Sequence, residues 1–242
     1  VRAVEQVLAT NPPALTHEFD HPPSLVQKCV GDWRYDWEKY AAFRGRVLPF
    51  ADAQPLGTPN APVEIMIFGD YEEPTTAEAD EAVRDWLKGR DDAAYVFRHY
   101  PFNADCNPHI TNSRHPHACW AAQVVEAAAL VGGTDARWRV HTWLMGHQDQ
   151  LNEEALRAAA GELNVDVDVL LAAMQRPEVA AAIKRDTDTG KRLQLNAIPT
   201  IFVNGGQVQR WRWQGPELGR EVLQAIFDDA AKEAAGKSNG GN

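Results

Sequence analysis

Apolar residues divide the chain into segments by their spacing. "PVEIMIF" (62–68) and "AAYVFRHY" (93–100) are short runs rich in Val, Ile and aromatic residues, the pattern of buried strands. Between them, "EPTTAEADEAVRDWLKG" (73–89) sets Ala79, Val83, Trp86 and Leu87 at helical spacing and ends in Gly89, which predicts a helix. A strand, a helix and a strand in so short a span predict a βαβ unit with parallel strands and a right-handed crossover.

Beyond a loop at 101–116, five helical stretches follow: 116–132, 135–147, 152–163, 166–174 and 177–195. "IPTIFVNGGQVQRWRW" (198–213) then reads as two strands around Asn204-Gly205-Gly206, a hairpin signal. "GPELGREVLQAIFDDAAKEA" (215–234) predicts a closing helix. The order is βαβ, a block of helices, then ββα, without an internal repeat.

The first 57 residues differ in texture. "NPPALTHEFDHPPS" is broken by prolines, while "DWRYDWEKYAAF" places Trp33, Trp37, Tyr40 and Ala41 at helical spacing. Residues 1–57 are therefore expected to be an extension with one short amphipathic helix and a linker. Residues 58–232 are expected to be the main domain, with a helical insertion at about 116–195, and 233–242 a disordered tail.

Composition narrows the function. Of 242 residues, 44% are hydrophobic, enough for a sizeable core, and the formal net charge is −10. That charge argues against nucleic acid, which rewards clustered Lys and Arg, and against anionic membrane surfaces. No apolar run approaches the roughly 20 residues of a membrane span, so no membrane insertion is expected. The start, "VRAVEQVLAT", has no apolar signal core, but the chain opens on Val1, so its compartment is not read from that segment. No Gly-rich phosphate loop, G-x-S-x-G or HExxH occurs, and no cofactor is implied.

The element order and two local motifs resemble the DsbA-like branch of the thioredoxin-fold family over about residues 57–232. "GTPNAPVEIMIFGDYEEP" resembles the family's first core strand, its Asp-Tyr pair and its active-site proline. "NAIPTIFVNG" resembles its second landmark, where a cis-proline faces the active site; Pro199 would be that residue. The resemblance implies an α/β thioredoxin-like fold carrying a helical insertion. It also implies a groove at Tyr71, Glu73, Thr76, Ile198 and Pro199. The family's CxxC is replaced by Glu73-Pro74-Thr75-Thr76. Exchange needs an attacking thiolate and a resolving thiol, so no catalytic residue is expected here. Glu73 sets a negative charge at the positive end of a helix, worth about 0.3–1 kcal/mol when exposed. Thr75-x-x-Glu78 also fits a capping box, so either Thr75 or Glu73 can start the helix. A remnant frame, a repurposed groove and an engineered loss of cysteines all fit this substitution.

Three cysteines are present, Cys29, Cys106 and Cys119. "YPFNADCNPHITNSRHPHACWAAQ" resembles a segment that carries an extra cysteine pair in some family members. Cys106 and Cys119 thus admit three readings. A structural disulfide would contribute roughly 3 kcal/mol in the chain-entropy picture and imply an oxidising compartment. A metal site would use Cys106, His109, His115, His117 and Cys119, at a spacing that matches no strong zinc motif. A relocated redox pair would place Cys119 near a helix N-terminus. His141 and His147 are expected to be ordinary surface or partly buried histidines. The aromatics at 211–213 and at Trp33, Tyr35 and Trp37 are expected to close the core or dock the extension.

The expected function is a redox-inactive, extracytoplasmic (periplasmic or equivalent) module binding a protein or peptide in the former groove. The alternatives are a thiol–disulfide oxidoreductase acting through Cys106/Cys119 or as part of a longer redox protein, and a metal binder. A dimer through Cys29 or the extension is a further expectation.

Overall fold

Two strands carry the centre of the molecule because every residue in them has a buried side to face. The computed structural model describes residues 23–39, 54–209, 211–212 and 215–239. β2 (Val63–Gly69) and β3 (Ala93–His99) run parallel, Val63 opposite Ala93 and Gly69 opposite His99. Ile65, Ile67, Tyr95 and Phe97 face the larger core. Met66, Phe68, Val96, Tyr100 and Phe202 face a smaller one, closed by Leu193 and Leu195. Alternation to two buried faces is why both strands read as continuous apolar runs. The crossover between them is α2 (Pro74–Leu87), which buries Ala79, Ala82, Val83 and Leu87.

β4 (Thr200–Val203) pairs antiparallel with β2, and β5 (Gly206–Val208) with β4. The hairpin turn holds Asn204 and Gly205 at positive φ, as the Asn-Gly-Gly signal predicts. Asn204 also clamps β2: its N–H donates to the Glu64 carbonyl and its Oδ1 accepts from the Glu64 N–H, both at 2.8 Å. β1 (Leu56–Gly57) completes the sheet in the order β1-β3-β2-β4-β5. It lies within the expected linker; two residues leave no periodicity to read, and pairing with Tyr95 and Ala94 defines it.

The helical insertion is α3 (Ala118–Gly146), α4 (Glu153–Ala158), α5 (Ala160–Leu163), α6 (Val167–Ala173) and α7 (Pro177–Arg192). α3 breaks at Gly133, whose φ of 68° and ψ of −163° separate the two expected stretches. Among the described residues, no helix is long and apolar enough to cross a membrane.

The ends differ from expectation. α1 (Pro23–Lys39) begins ahead of the expected segment, because Pro23 is tolerated in a first helical turn. Val26, Cys29 and Val30 join Trp33 as a stripe against the core. Tyr40 and Ala41 lie outside the described residues, as does the side chain of Trp37. The closing helix, α8 (Pro216–Asn239), continues past the expected boundary at 232. "AAKEAA" is rich in helix formers, and Ala230, Ala231 and Ala234 pack on the core, so 233–239 are helical rather than a tail. Residues 240–242 lie outside the described residues.

α1 is held to α8 by Arg34, whose guanidinium meets both oxygens of Asp229 at 2.7 and 2.6 Å. An ion pair so exposed contributes about 0–1 kcal/mol. Trp33, only 2% exposed, contributes more by burial. Trp33→Ala is expected to cost about 3–5 kcal/mol in denaturant unfolding, whereas Arg34→Ala should cost under about 1 kcal/mol. Equal, small effects would show that α1 is not part of the core.

Candidate functional site

The turn between β2 and α2 is shaped by packing and by helix capping. Gly69 is required there: a Cβ on it would lie 2.4 Å from Thr76 Cγ2. Its absence lets the first turn of α2 close onto the strand. Pro74 occupies the first turn, where its missing N–H costs nothing. Glu73 is the N-cap; its Oε2 accepts from the Thr76 N–H at 2.6 Å and from Thr76 Oγ1 at 3.2 Å. The Thr75 capping box does not form. Proline's preference for the first helical position was the signal that favoured Glu73. The two positions at which the family resemblance implies sulfur thus hold each other.

The residues expected to line a groove separate into two groups. Tyr71 is 1% exposed and Thr76 is 0% exposed, so both face the interior. Ile198 and Pro199 are half-buried, and the bond between them is cis. Phe68 pairs with Thr200 in the β2–β4 ladder, so the next position sets Pro199 beside Gly69, where the chain leaves the strand. A cleft of about 430 Å³ runs past Pro199, lined by Gln194, Asn196, Gln207, Gln209 and Trp211 among others, with no charged side chain among the described residues. Trp211 is itself buried and packs against Gly219, so its role is to close the core. Trp213 lies outside the described residues, and Tyr35 is exposed.

Carboxylates and one amide fix the turn. Asp70 accepts from the Glu72 N–H at 2.8 Å and the Phe102 N–H at 2.9 Å, and its Oδ2 lies 2.5 Å from His115 Nδ1. Glu72 Oε2 accepts from the His117 N–H at 2.6 Å. The Gln148 amide donates to the carbonyls of Tyr71 and Glu73 at 2.9 and 3.1 Å. The hydrogen bond to Asp70 and its charge raise the His115 pKa against the opposing effect of burial.

Beneath the turn lies a polar network that local pattern did not reveal. Tyr71 Oη is 2.8 Å from His141 Nδ1, and His141 Nε2 is 2.8 Å from Asp80 Oδ1. Asp80 also accepts from Tyr95 Oη at 2.9 Å and Arg84 Nε at 2.6 Å. One tautomer satisfies every member: Tyr71 donates to Nδ1 of a neutral His141, whose Nε2–H donates to Asp80. Burial lowers the His141 pKa. Burial would raise that of Asp80, but His141 and Arg84 outweigh it and hold the carboxylate low. His141 is thus a core residue rather than a surface one. His147 stacks on Trp143 with ring centroids 4.6 Å apart. The i,i+4 pair Asp80–Arg84 was the one legible sign of the network.

Cys106 and Cys119 are joined in a disulfide with Cα atoms 5.7 Å apart. The candidate metal ligands are engaged elsewhere: both sulfurs form the disulfide, His115 is held by Asp70, and His109 by Asp188 at 3.0 Å. Among the described residues, no three His, Cys, Asp or Glu side chains converge on a metal position. Cys29 is a free thiol, half-buried on α1, and burial pushes its pKa up.

The comparisons agree with this geometry. The thioredoxin family model matches residues 52–216, and the chain belongs to that family. Its fold is the DsbA-like form with a helical insertion. It is 26% identical to a thioredoxin-like oxidoreductase from Silicibacter pomeroyi, with a TM-score of 0.58 over 75% of this chain and 94% of that one. It superposes on oxidised BdbD from Bacillus subtilis with a TM-score of 0.58 at 18% identity, over 74% of this chain and 93% of that one. Among curated proteins it is 32% identical over 185 residues to Na(+)/H(+) antiporter NhaA 3 of Salinispora tropica, covering 76% of this chain. The chain spans 26% of that antiporter's length.

Thiol titration of the denatured, unreduced protein is expected to find one reactive thiol, from Cys29, and all three only after reduction. Three without reduction would contradict the disulfide. The His115–Asp70 pair also gives stability a pH dependence. The folded pKa of His115 lies above its unfolded value of about 6.5, so its contribution is complete below that pH and is lost as pH rises through the folded pKa. His115→Asn should abolish this component of a stability–pH curve above about pH 6.5; an unchanged curve would show that the pair is not formed.

Proposed function

We propose that the chain is a thioredoxin-fold binding module without dithiol chemistry at the family site, holding an extended peptide or protein segment in the cleft beside Pro199. The contact between Glu73 and Thr76 carries this reading. A carboxylate and a buried hydroxyl occupy the two positions, and neither can form a disulfide. The cleft supports it further. Amide groups on Gln194, Asn196, Gln207 and Gln209 offer both donors and acceptors, which suit a peptide backbone. An oxidising, extracytoplasmic compartment accords with the Cys106–Cys119 disulfide.

A second reading concerns context. The similarity to a quarter of an NhaA antiporter favours a domain that works beside a membrane transporter, its ligand segment lying in the same polypeptide or assembly. A third function, dithiol exchange through Cys106 and Cys119, needs those sulfurs to cycle. They are far apart in sequence, unlike a CxxC pair, and Cys119 is buried.

Insulin reduction separates these readings. The protein is expected to show no turnover, Cys106→Ser to change nothing, and Glu73→Cys combined with Thr76→Cys to gain activity on the retained frame. Activity lost on Cys106→Ser would overturn the proposal. For the cleft, Asn196→Ala with Gln207→Ala should weaken binding of unstructured peptides in fluorescence anisotropy by about tenfold, the loss of one or two net hydrogen bonds. No binding by the unsubstituted protein, or binding indifferent to both changes, would sink the peptide reading.

A further inference from the structure

We infer that the groove between β1 and the second half of α3 is a binding site for a small organic cation, an amine on an apolar body. Beyond Gly133, the residues Asp135, Trp138, Arg139, Thr142 and Trp143 stand at i, i+3, i+4, i+7 and i+8, so one face of α3 carries them all. Two of them fix the walls. The Trp138 indole N–H donates to the Gln54 carbonyl at 3.0 Å, and its ring packs on Tyr95 with centroids 5.2 Å apart. That holds the chain entering β1 against the helix. Arg139 Nε donates to the Leu163 carbonyl at 2.8 Å, which holds the end of α5. The groove bordered by these anchors has a volume of about 840 Å³, within the range of about 300–1,000 Å³ of small-molecule sites. It shares no lining residue with the cleft beside Pro199, so it stands apart from the peptide reading.

The lining sets the chemistry of the ligand. Pro55, Leu56, Pro59 and Leu163 join the two tryptophans as apolar surface. The polar side chains favour a donor. Asp135 and Glu162 are exposed carboxylates on the groove, and an ionised carboxylate only accepts. His147 also lines the groove; it stacks on Trp143, and its Nδ1 lies 2.8 Å from the Trp143 carbonyl. A carbonyl oxygen can only accept, so Nδ1 carries the proton and Nε2 of the neutral ring is a third acceptor. Arg139, the one guanidinium among the described lining residues, already donates to Leu163. Indole rings beside carboxylates attract an ammonium group through the ring quadrupole and the opposite charge together. An anion on the same body would meet Asp135 and Glu162 as like charges, and a neutral group would gain the apolar contacts alone.

The test uses the full chain and three probes that share a phenyl ring on a two-carbon arm: phenethylamine, phenethyl alcohol and hydrocinnamate. Each is titrated by calorimetry near neutral pH, at constant low ionic strength. Saturable binding is expected, tightest for the amine, weaker for the alcohol and weakest for the carboxylate. Asp135→Asn combined with Glu162→Gln should weaken amine binding by about fivefold, the loss of two exposed charge contacts, and leave the alcohol unchanged. Both positions are exposed, so the fold is expected to survive the double change. Glu178→Gln, at an exposed carboxylate on α7, should alter neither affinity. An alcohol that binds as tightly as the amine, an amine affinity indifferent to the double change, or no saturable binding of the amine would overturn the site.

Discussion

Asp80 is wholly buried, and its two oxygens accept from Arg84, Tyr95 and His141. Those donors come from α2, β3 and α3, and His141 passes the chain of hydrogen bonds on to Tyr71 at the turn. A buried carboxylate is tolerated only where its charge and lone pairs are matched, and removal of one partner from such a pair costs about 3–5 kcal/mol. Asp80 therefore fixes the helical insertion relative to the thioredoxin frame. The insertion cannot shift along α2 without removing the His141 hydrogen bond from a buried carboxylate.

The same logic explains how the turn keeps its shape without sulfur. Asp70 and Glu72 bind the disulfide-closed loop, Gln148 binds the turn from the insertion, and Glu73 caps α2. Each contact joins a side chain to a backbone group of the turn or of the segment packed against it. Replacement of the CxxC pair by Glu73 and Thr76 leaves all of these partners in place. The shape of the turn does not depend on sulfur, because carboxylates and an amide hold it.

The strands β2, β3 and β4 and the helix α2 were legible because each has a local signature, whereas the cis-proline position came from the family resemblance. Apolar runs, a 3.6-residue stripe and an Asn-Gly turn depend only on neighbours in sequence. α1 was placed too late because prolines at 22 and 23 masked the stripe Val26, Cys29, Val30 and Trp33. β1 was missed because two residues have no period. Arg98, a charge inside an otherwise apolar strand, did signal a buried partner, but nothing local identified it as Asp186, far along the chain.

The sequence by itself determined the family, the order of elements and the absence of a CxxC motif, since these rest on residue identity and short-range spacing. Tertiary structure decided which side chains of the turn face inward. Tyr71 and Thr76 read as groove residues by position, yet each is buried, one on His141 and the other beneath Gly69. It also decided that Cys106 and Cys119 bond to each other and that Asp80, His141 and Tyr71 meet. The physical reason is that a charge or a hydroxyl buried in a core takes its partners from whatever the fold brings alongside, and those partners carry no mark in the local sequence.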